Sequence, residues 1–474
     1  MAAVGALRRL LGPDAVISDP DQLAAYECDG FTIARHKPLA VAFPRSTQQV
    51  SAVVRLLAEF RVAAVPRGAG TGLAGGIVSI VPSVQVSTAR MTTIHRIDLR
   101  NRWALVDAGV ANLALSQQPD VKASPYHFAP DPSSQRASTI GGNAATNAGG
   151  LHTLKYGVTV NHILGLEVVL ADGSVHTLGG PTGHLLGPDL VGLVCGTEGT
   201  LAIITRVWCR LTPRPKAFRT ATAVYADPQD ASNTVAEIVA AGIIPAALEM
   251  MDGPMVRIVE DAFHYGFPRD AAAMLLLEVD GLELGLDAQM AEIRQIAERH
   301  HARDFQEGSD PQRRASLWAA RKNAFGALGR LGFAYCTQDA CIPRSRLPEV
   351  IREIARVAAK YQLLVTNCFH AGDGNVHPVL CFDERDEAQI RKALAASGDI
   401  LRYCIALGGA VTGEHGVGVE KVPYMRDMFS PTDLAAMHRI RDAVVPGDLL
   451  NPYKVLPRDG PDIDLLRPGR QVAQ

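Results

Sequence analysis

The stretch Pro66-Arg-Gly-Ala-Gly-Thr-Gly-Leu-Ala-Gly-Gly76 contains five glycines in eleven residues. A backbone with so few Cβ atoms can turn its N–H groups onto an anion or lie flat against a ligand. It is not a P-loop, because no Gly-Lys-Ser/Thr follows, and it is not a G-x-G-x-x-G motif that opens a helix. A flexible surface loop is the alternative interpretation of this stretch taken alone.

The residues before this loop predict a strand–helix–strand unit. The apolar run at 38–44 is bounded by prolines and indicates a buried strand. From Ser46 onward, apolar residues recur at three- and four-residue spacing, and Gln49 follows the N-cap Ser46 at the position expected for a helix start. Residues 62–65 predict the second strand, which leads directly into the glycine-rich loop.

Two further blocks consist of unusually small residues. Thr139-Ile-Gly-Gly-Asn-Ala-Ala-Thr-Asn-Ala-Gly-Gly150 cannot supply core volume, but it can pass close to a large flat ligand and form hydrogen bonds with it. Cys195-Gly-Thr-Glu-Gly-Thr-Leu-Ala-Ile-Ile-Thr205 predicts a glycine turn that continues as a strand. Between the two blocks, residues 163–177 predict a pair of strands around an Asp172-Gly173 turn.

These three blocks, together with Asn451-Pro-Tyr-Lys454, resemble the FAD-binding elements of the vanillyl-alcohol-oxidase, or PCMH-type, flavoproteins. The resemblance covers nearly the whole chain. It implies an α+β fold in which a two-part PCMH-type FAD-binding domain is joined to an α+β cap domain built on an antiparallel sheet. The implied boundaries are an N-terminal helical segment at 1–35, the FAD-binding domain at 36–215, the cap or substrate domain at 216–410, and a C-terminal segment at 411–474 that returns to the FAD-binding domain.

The same resemblance implies which residues bind FAD. In the family, the first block wraps the pyrophosphate and the next two line the flavin. Some members attach FAD covalently through a histidine in the first block, and residues 66–76 contain none, so we expect non-covalent FAD. The implied FAD-binding residues are Arg67, Gly68, Ala69, Gly70, Thr71, Gly72, Gly142, Asn143, Thr146, Asn147, Gly149, Glu198, Gly199, Ile204 and Asn451.

After residue 215 the sequence changes character. Strands at 220–225 and 273–279 alternate with amphipathic helices at 228–241, 287–301 and 347–361. Long helices that alternate with strands, without further glycine blocks, are typical of an α+β substrate domain.

Two histidines flank a predicted hairpin in Cys368-Phe-His-Ala-Gly-Asp-Gly-Asn-Val-His-Pro378. A four-residue turn at 372–375 would place Ala371 opposite Val376 and His370 opposite His377. Opposed residues have Cβ atoms about 4.5–5.5 Å apart, so the two imidazoles can share one metal ion. The alternative is a pair of half-buried histidines that hydrogen-bond to the backbone.

A second polar pair, Glu414 and His415, lies between glycines in Gly413-Glu-His-Gly-Val-Gly418. A carboxylate and an imidazole together can supply an anionic ligand and a base, although a solvated turn would explain them as well. Members of the family that oxidise 2-hydroxy acids carry both histidine motifs. The resemblance therefore implies that His370, His377 and Glu414 bind a divalent metal, zinc or manganese, and that His415 is the catalytic base.

Trp318 and Arg321 share one face if residues 317–322 are helical. The planar guanidinium suits a carboxylate, and a surface arginine is the alternative. The Trp-x-x-Arg pattern resembles the substrate-carboxylate site of the same relatives, so Arg321 is the second expected catalytic residue.

The resemblance implies FAD-dependent oxidation of a small D-2-hydroxy acid to the 2-oxo acid, by metal-assisted hydride transfer to flavin N5. Phe325 and Val379 are apolar where 2-hydroxyglutarate dehydrogenases have polar residues, and Tyr335-Cys336 and residues 342–344 are closer to the FAD-bearing subunit of glycolate oxidases. Glycolate or D-lactate is therefore favoured as substrate. The alternatives are a D-2-hydroxyglutarate-type dehydrogenase, a phenol or sugar oxidase of the same fold, or a non-catalytic FAD-bearing electron-transfer subunit.

Composition excludes several other classes of protein. The net charge is −2, from 47 basic and 49 acidic residues, which argues against nucleic-acid binding. No apolar run is long enough to cross a membrane and the first residues do not resemble a secretory signal, so we expect a cytoplasmic location, with peripheral membrane association and a homo-oligomer left open. The eight cysteines form no C-x-x-C pair, so an iron–sulfur cluster is not expected. Reoxidation then requires a partner subunit, a quinone, a cytochrome or oxygen.

Overall fold

The computed structural model describes residues 2–183, 187–308, 311–459 and 462–466. The chain divides into two compact units, each built from separate stretches of sequence. Unit 1 contains Met1–Gly149, Val158–Arg214 and Glu414–Gln474, and unit 2 contains Gly150–Gly157 and Pro215–Gly413. Residues 150–157 lie inside the range expected for the FAD-binding domain, but they group with unit 2.

Strands contribute to both units. In chain order, the strands of the described residues are β1 (Val16–Ile17), β2 (Ala40–Ala42), β3 (Ala63–Arg67), β4 (Ser83–Ser87), β5 (Ile94–Asp98), β6 (Trp103–Asp107), β7 (Tyr126–His127), β8 (Ile163–Val169), β9 (Val175–Gly179), β10 (Ile203–Arg210), β11 (Thr212–Pro213), β12 (Ala217–Tyr225), β13 (Ala247–Asp252), β14 (Ala273–Gly281), β15 (Asp304–Gly308), β16 (Ala334–Thr337), β17 (Ala340–Cys341), β18 (Leu364–Phe369), β19 (Asn375–Val376) and β20 (Pro378–Phe382).

Most of the long helices belong to unit 2. In chain order, the α-helices of the described residues are α1 (Ala2–Leu11), α2 (Thr47–Glu59), α3 (Asn112–Gln117), α4 (Pro119–Ala123), α5 (Ile140–Thr146), α6 (Thr153–Tyr156), α7 (Leu190–Val194), α8 (Pro228–Ala240), α9 (Gly253–Phe263), α10 (Leu286–Arg299), α11 (Pro311–Leu328), α12 (Leu347–Tyr361), α13 (Glu387–Ala406), α14 (Met425–Met428) and α15 (Pro431–Val444). None of them combines the length and the apolarity that crossing a bilayer requires.

The first sheet of unit 1 confirms the predicted strand–helix–strand unit. Its strand order is β1-β2-β4-β3, and both β2 and β3 run parallel to β4. Helix α2 connects β2 to β3 and begins where expected, because the Ser46 side chain accepts a hydrogen bond from the Gln49 N–H at 3.3 Å. Strand β3 therefore ends at the start of the glycine-rich loop.

The second sheet of unit 1 is antiparallel, in the order β5-β6-β10-β8-β9. Strands β8 and β9 are joined through the predicted Asp172-Gly173 turn, and β10 continues from the predicted glycine turn at 196–199. One face of this sheet packs against α5, whose Ile140 and Ala144 are buried in its core. The sequence predicted no helix in that small-residue block. The helix forms because Thr139 caps its first turn and Asn147 ends it in the left-handed conformation, with φ of 51°.

Unit 2 is built on one antiparallel seven-stranded sheet, as expected for the cap domain. The strand order is β15-β12-β14-β13-β18-β20-β16. Helices α8, α10 and α12 correspond to the three amphipathic segments predicted from sequence. The apolar cluster that joins α9 and α11 to the sheet includes Met255, Trp318 and Cys368. This packing brings α11, which contains Arg321, against the strands that carry the first histidine.

Candidate active site

The first two glycine blocks touch each other inside unit 1. A Cβ atom at Gly68 would lie 2.6 Å from Thr139 Oγ1 and 3.5 Å from the Cα of Gly142, so a larger residue at 68 would force the two segments apart. The third block joins the second through backbone hydrogen bonds. Gly196 N–H donates to the Ala144 carbonyl at 3.0 Å and Glu198 N–H to the Ala145 carbonyl at 2.8 Å.

The C-terminal motif ties the blocks together. The Asn451 side-chain amide donates to the carbonyls of Gly76, at 2.9 Å, and Glu198, at 2.7 Å. The buried Lys454 ammonium donates to the Val78 carbonyl at 2.7 Å. All four motif segments therefore meet in unit 1. A cradle lined by glycine, alanine and threonine, with backbone groups at its surface, fits a large flat dinucleotide that must be approached closely.

Several side chains predicted to bind FAD form hydrogen bonds or apolar contacts within the protein. The Asn143 amide donates to Asn112 Oδ1 at 2.9 Å, and Asn147 Oδ1 accepts from the Val160 N–H at 2.9 Å. Ile204 packs in the apolar core of the antiparallel sheet. Through these contacts the three side chains stabilise the segments that form the cradle. The other predicted residues of the first three blocks are Ala69, Gly70, Thr71, Gly72, Thr146, Gly149 and Gly199.

Arg67 is buried at the start of the first block. Its guanidinium lies over the Tyr26 ring, 5.0 Å from the centroid, and donates to Gln85 Oε1 at 3.3 Å. Nearby, burial raises the pKa of Asp29 to about 7 and lowers the pKa of Lys454 to about 7. The cradle therefore has buried ionisable groups of both signs, and burial shifts the pKa of each toward its neutral form.

The loop that carries His415 is fixed to the first and third blocks. The Glu198 carboxylate accepts from the Val417 N–H at 2.6 Å and from the Gly418 N–H at 2.9 Å, and the Val419 N–H donates to the Ala74 carbonyl at 3.0 Å. Burial raises the pKa of Glu198. His415 Nε2 lies 3.8 Å from Glu414 Oε1, and both side chains are largely buried. The loop is therefore anchored by the blocks that form the FAD cradle.

The histidine hairpin of unit 2 forms, but the predicted register is wrong. His370 pairs with Asn375 through backbone hydrogen bonds of 3.0 and 3.2 Å, and Cys368 lies opposite His377. The turn occupies residues 371–374, because Gly374 takes the left-handed φ of 82° and Asp373 Oδ1 accepts from the Asn375 N–H. His370 and His377 are thus diagonal neighbours on one face and not directly opposed.

The two imidazoles nevertheless lie close together. Their ring centroids are 5.0 Å apart and their planes are nearly perpendicular. His370 Nδ1 lies 2.8 Å from Glu249 Oε1, and His377 Nδ1 lies 3.0 Å from the Gln338 carbonyl. Since both partners accept hydrogen bonds, Nδ1 is the donor of each ring, and the neutral form of such a ring has its lone pair on Nε2.

This arrangement fits a divalent metal ion. One possible ligand atom of each histidine lies within 4.8 Å of the other, and zinc binds imidazole nitrogen at about 2.0–2.1 Å. Metal-binding histidines usually donate their other N–H to a carboxylate or a carbonyl, which both of these do. Asp339 is a further acid beside this pair, with a carboxylate oxygen within 4.8 Å of a His377 nitrogen.

Arg321 lies on α11 on the same buried face as Trp318, as the helical spacing predicts. Its side chain is 1% exposed, and its Nε and Nη2 both lie 2.7 Å from Glu249 Oε2. One edge of the guanidinium is therefore bound by a protein carboxylate. The sequence indicated a guanidinium fork suited to a substrate carboxylate but did not anticipate this internal partner.

Glu249 and Asp339 are two site residues that sequence reasoning missed. Glu249 interrupts the apolar strand β13 and is 1% exposed. An acid in an apolar strand must find a buried partner, so this interruption was a usable signal. Asp339 had no such signal, because it follows β16 in a stretch of mixed polarity.

Asp339 holds the segment that precedes Glu414 in the chain. Its Oδ2 accepts from the Thr412 hydroxyl at 2.5 Å, and its Oδ1 accepts from the Gly413 N–H at 3.2 Å. Gly413 also lies against Asn375 of the histidine hairpin, where an added Cβ would come within 2.6 Å of the side-chain amide. The end of unit 2 is therefore closely packed on that hairpin.

Comparison with known families decides the assignment of the chain. Residues 214–455 match the family described as FAD linked oxidases, C-terminal domain. The chain belongs to the FAD-linked oxidase family. Residues 38–179 match the FAD binding domain that accompanies it. This protein is an FAD-dependent oxidoreductase, and the first two glycine blocks of the cradle lie within the match to the FAD binding domain.

The most informative relatives and solved structures agree with this assignment. Glycolate oxidase subunit GlcD of Escherichia coli K12 is 41% identical over 95% of this chain and 90% of its own length. The probable mitochondrial D-lactate dehydrogenase of Danio rerio is 30% identical over 88% of this chain and 84% of its own. The structure of p-cresol methylhydroxylase superposes with a TM-score of 0.80 over 96% of both chains at 20% identity, which shows the shared PCMH-type fold.

Proposed function

We propose that this FAD-linked oxidase oxidises a small D-2-hydroxy acid, glycolate or D-lactate, to the corresponding 2-oxo acid. The names of its relatives support this substrate class, since they include a glycolate oxidase subunit and a D-lactate dehydrogenase. The observation that carries the proposal is the anchoring of the His415 loop to the first and third glycine blocks by Glu198 and Ala74. A histidine on this loop is held beside the FAD cradle.

The proposed division of labour begins with His415. A 2-hydroxy acid must lose its hydroxyl proton and its C2 hydride in the same overall reaction. His415 is the group proposed to take the hydroxyl proton, because an imidazole titrates near neutral pH and can both accept and release it. FAD, when bound, supplies the hydride acceptor. The glycine blocks supply the surface against which the cofactor is held, and the absence of histidine from residues 66–76 supports non-covalent FAD.

His370, His377 and Glu414 are the proposed ligands of a divalent metal, zinc or manganese. The Nδ1–H tautomer of both histidines supports this role, because it leaves the Nε2 lone pair as the ligand atom. A divalent metal, when bound, supplies a Lewis acid that lowers the pKa of a hydroxyl group. Glu414 adds the anionic oxygen that two neutral imidazoles lack.

Arg321 is the proposed counter-charge for the substrate carboxylate. The edge formed by Nε and Nη2 stays with Glu249, and the proposal assigns the substrate to the edge formed by Nη1 and Nη2. Glu249 fixes the plane of the guanidinium, so the second edge has a defined orientation. Because Glu249 already holds the arginine side chain, binding of the substrate carboxylate does not have to restrict a flexible side chain.

The apolar surroundings favour a substrate with a single carboxylate. Phe325 and Val379 pack in the same apolar cluster as Trp318. A second carboxylate that had to be buried against such groups without a partner would cost several kcal/mol. Glycolate and D-lactate avoid this cost, whereas D-2-hydroxyglutarate does not.

We assign reoxidation of the reduced flavin to a separate electron acceptor, which is a partner subunit, a quinone, a cytochrome or oxygen. The relative named as a glycolate oxidase subunit supports a partner subunit. The eight cysteines without a C-x-x-C pair give no support for an internal iron–sulfur cluster.

The test is anaerobic bleaching of the flavin by a panel of candidate donors. The panel contains glycolate, D- and L-lactate, D- and L-2-hydroxyglutarate, and p-cresol as a phenol. The proposal predicts rapid bleaching by glycolate or D-lactate, with L-lactate and the two hydroxyglutarates at least about tenfold slower, a difference of about 1.4 kcal/mol. Bleaching by p-cresol alone would move the protein to the phenol-oxidising branch of the fold. Bleaching by none of the donors would favour a non-catalytic electron-transfer subunit.

A further inference from the structure

Glu249 joins two residues that the proposed function treats separately. It lies on β13, and its side chain is 1% exposed. Its Oε2 is 2.7 Å from both Nε and Nη2 of Arg321, and its Oε1 is 2.8 Å from His370 Nδ1. His370 Nδ1 is also 2.9 Å from Oε2, so one carboxylate contacts both the proposed substrate arginine and the proposed metal ligand.

The stability of the fold alone does not explain why a carboxylate is buried between an arginine and a histidine. Removing a carboxylate from water costs several kcal/mol, and replacing a buried ion pair with apolar side chains is often neutral or stabilising. The three side chains come from β13, from α11 and from the residue that follows β18, so the carboxylate fixes three segments relative to one another. Such a contact is most valuable where the geometry of a binding site depends on the relative positions of those segments.

We infer that Glu249 is a positioning residue that holds His370 in the Nδ1–H tautomer for metal binding and fixes the guanidinium plane of Arg321 for substrate binding. This inference rests on the proposed function, since it assigns Glu249 a role towards the metal and substrate sites proposed there. The carboxylate accepts a hydrogen bond from the Nδ1–H group and thereby leaves the Nε2 lone pair as the ligand atom. It also balances the charge of the buried arginine, which would otherwise be strongly unfavourable.

The structure contains a matched control in Glu278. It lies on β14, beside β13 in the same sheet, and its side chain is 0% exposed. It also binds helix α11, through Arg314 Nε and Nη2, at 2.7 Å each, and through Trp318 Nε1 at 2.9 Å. Glu249 and Glu278 are thus buried glutamates that clamp the same helix, but only Glu249 is paired with the proposed metal and substrate residues.

The experiment compares metal affinity in the FAD-loaded protein for wild type, Glu249→Gln, Glu278→Gln and His370→Ala. Zn²⁺ is titrated in competition with a chromophoric chelator, and thermal unfolding is recorded beside it. Glutamine keeps the size of glutamate but has no negative charge and replaces one acceptor oxygen with a donor NH2 group, so its hydrogen bonds to the guanidinium and the imidazole are weaker. We expect Glu249→Gln to weaken Zn²⁺ binding about 10–100-fold. Glu278→Gln should lower the unfolding temperature and leave Zn²⁺ affinity within about twofold.

The outcomes separate this inference from the function on which it rests. Equal Zn²⁺ affinity in wild type and Glu249→Gln, with weakened binding in His370→Ala, would overturn the role of Glu249 and leave the metal site standing. Wild-type protein that binds no Zn²⁺ at His370 would overturn both. An equal loss of affinity in Glu249→Gln and Glu278→Gln would show general loosening of the sheet, which also contradicts a specific role.

A second measurement requires no Glu249 variant to fold. Wild-type protein that retains FAD but is free of metal, labelled with ¹⁵N-histidine, reports the tautomer of each ring, and His370→Asn assigns the His370 signals. The inference predicts a protonated Nδ1 and an unprotonated Nε2 at His370 in the metal-free protein. The opposite tautomer would overturn it.

A further variant tests the charge separately. Glu249→Asp keeps the charge but is one methylene shorter, so its Zn²⁺ affinity should lie between those of wild type and Glu249→Gln.

Discussion

The carboxylate of Glu198 accepts hydrogen bonds from the backbone N–H of Gly418, at 3.1 Å through Oε1 and at 2.9 Å through Oε2. Glu198 belongs to the third glycine block, and Gly418 ends the loop that carries His415. Glu198 is expected from its motif to contact FAD, but its carboxylate is bound to the backbone of this loop. The relationship links the cofactor half of unit 1 to the proposed base.

The first prediction follows from this bond. Glu198→Gln should destabilise the protein by about 1.5–3 kcal/mol, because a hydrogen bond to a charged group contributes about that much. It should also slow flavin reduction, since the loop of His415 loses its anchor. Glu237→Gln is the control: this glutamate lies at the surface and pairs with Arg299 and His300, so the change should cost much less stability than Glu198→Gln. Denaturant unfolding and stopped-flow reduction measure both effects. Equal behaviour of the two variants would contradict the anchoring role.

The second prediction concerns the close approach of Gly413 to Asn375. Gly413→Ala places a Cβ within 2.6 Å of the Asn375 side chain, which is closer than real Cβ contacts allow. We expect loss of bound metal, because the hairpin between the two histidines must shift. Gly326→Ala is the control, since no atom lies within 4 Å of its added Cβ and alanine is favoured in a helix. Elemental analysis of both variants checks this. Full metal content in Gly413→Ala would show that the contact does not shape the site.

The third prediction is a pH dependence of unfolding that comes from Glu278. Burial acts to raise its pKa, but hydrogen bonds from His152, Arg314 and Thr220 outweigh burial and bring the pKa to about 2, below its ordinary value of 4.5. Between these two values the unfolded chain binds the proton and the folded protein does not, so stability rises with pH. The contribution, about 3 kcal/mol, is complete above pH about 4.5 and is lost as the pH falls toward 2.

Glu278→Gln removes the titrating group and should flatten this part of the stability profile. Urea unfolding at several values between about pH 2 and 6 measures the slope for both proteins. A variant with the same slope as wild type would show that other carboxylates produce the acid sensitivity.

The fourth prediction separates the proposed ligands from the proposed base. His370→Ala, His377→Ala and Glu414→Ala should each lose metal and activity together, because each removes a ligand atom. His415→Ala should keep the metal and lose about 10²–10⁴-fold in flavin reduction, the usual cost of losing a general base. Elemental analysis beside substrate-dependent reduction distinguishes the two classes. If active wild-type protein contained no stoichiometric metal, the proposed role of a metal would be wrong. A normal rate in His415→Ala would exclude that residue as the base.

Much of unit 1 could be predicted because local signals agree with one another. Ser46 caps α2, the apolar run before it forms β2, and the three glycine blocks meet as expected of FAD-binding elements. In unit 2 the sequence pattern predicted two of the seven strands, β12 and β14, and the helices α8, α10 and α12, whereas the antiparallel sheet was implied by the family resemblance.

The features that could not be predicted depend on the exact position of a turn or on contacts between residues far apart in the sequence. The hairpin register depended on whether the turn ends at Gly374 or at Asn375, and both residues tolerate turn conformations. The grouping of residues 150–157 with unit 2 depends on Lys155 and Tyr156 binding Asp280, 124 or 125 residues away. The pairing of Glu249 with Arg321 joins residues 72 apart. No local pattern encodes such partners.

The measurement that tests the central claim most directly is single-turnover reduction of the enzyme-bound flavin, without oxygen, by glycolate and by D-lactate with hydrogen or deuterium at C2. The account predicts that at least one of these acids bleaches the flavin stoichiometrically and yields its 2-oxo acid. It also predicts that deuterium at C2 slows the bleaching, because that bond breaks as the hydride leaves. Flavin that stays oxidised with both acids, in protein that retains its FAD and its metal, would contradict the account.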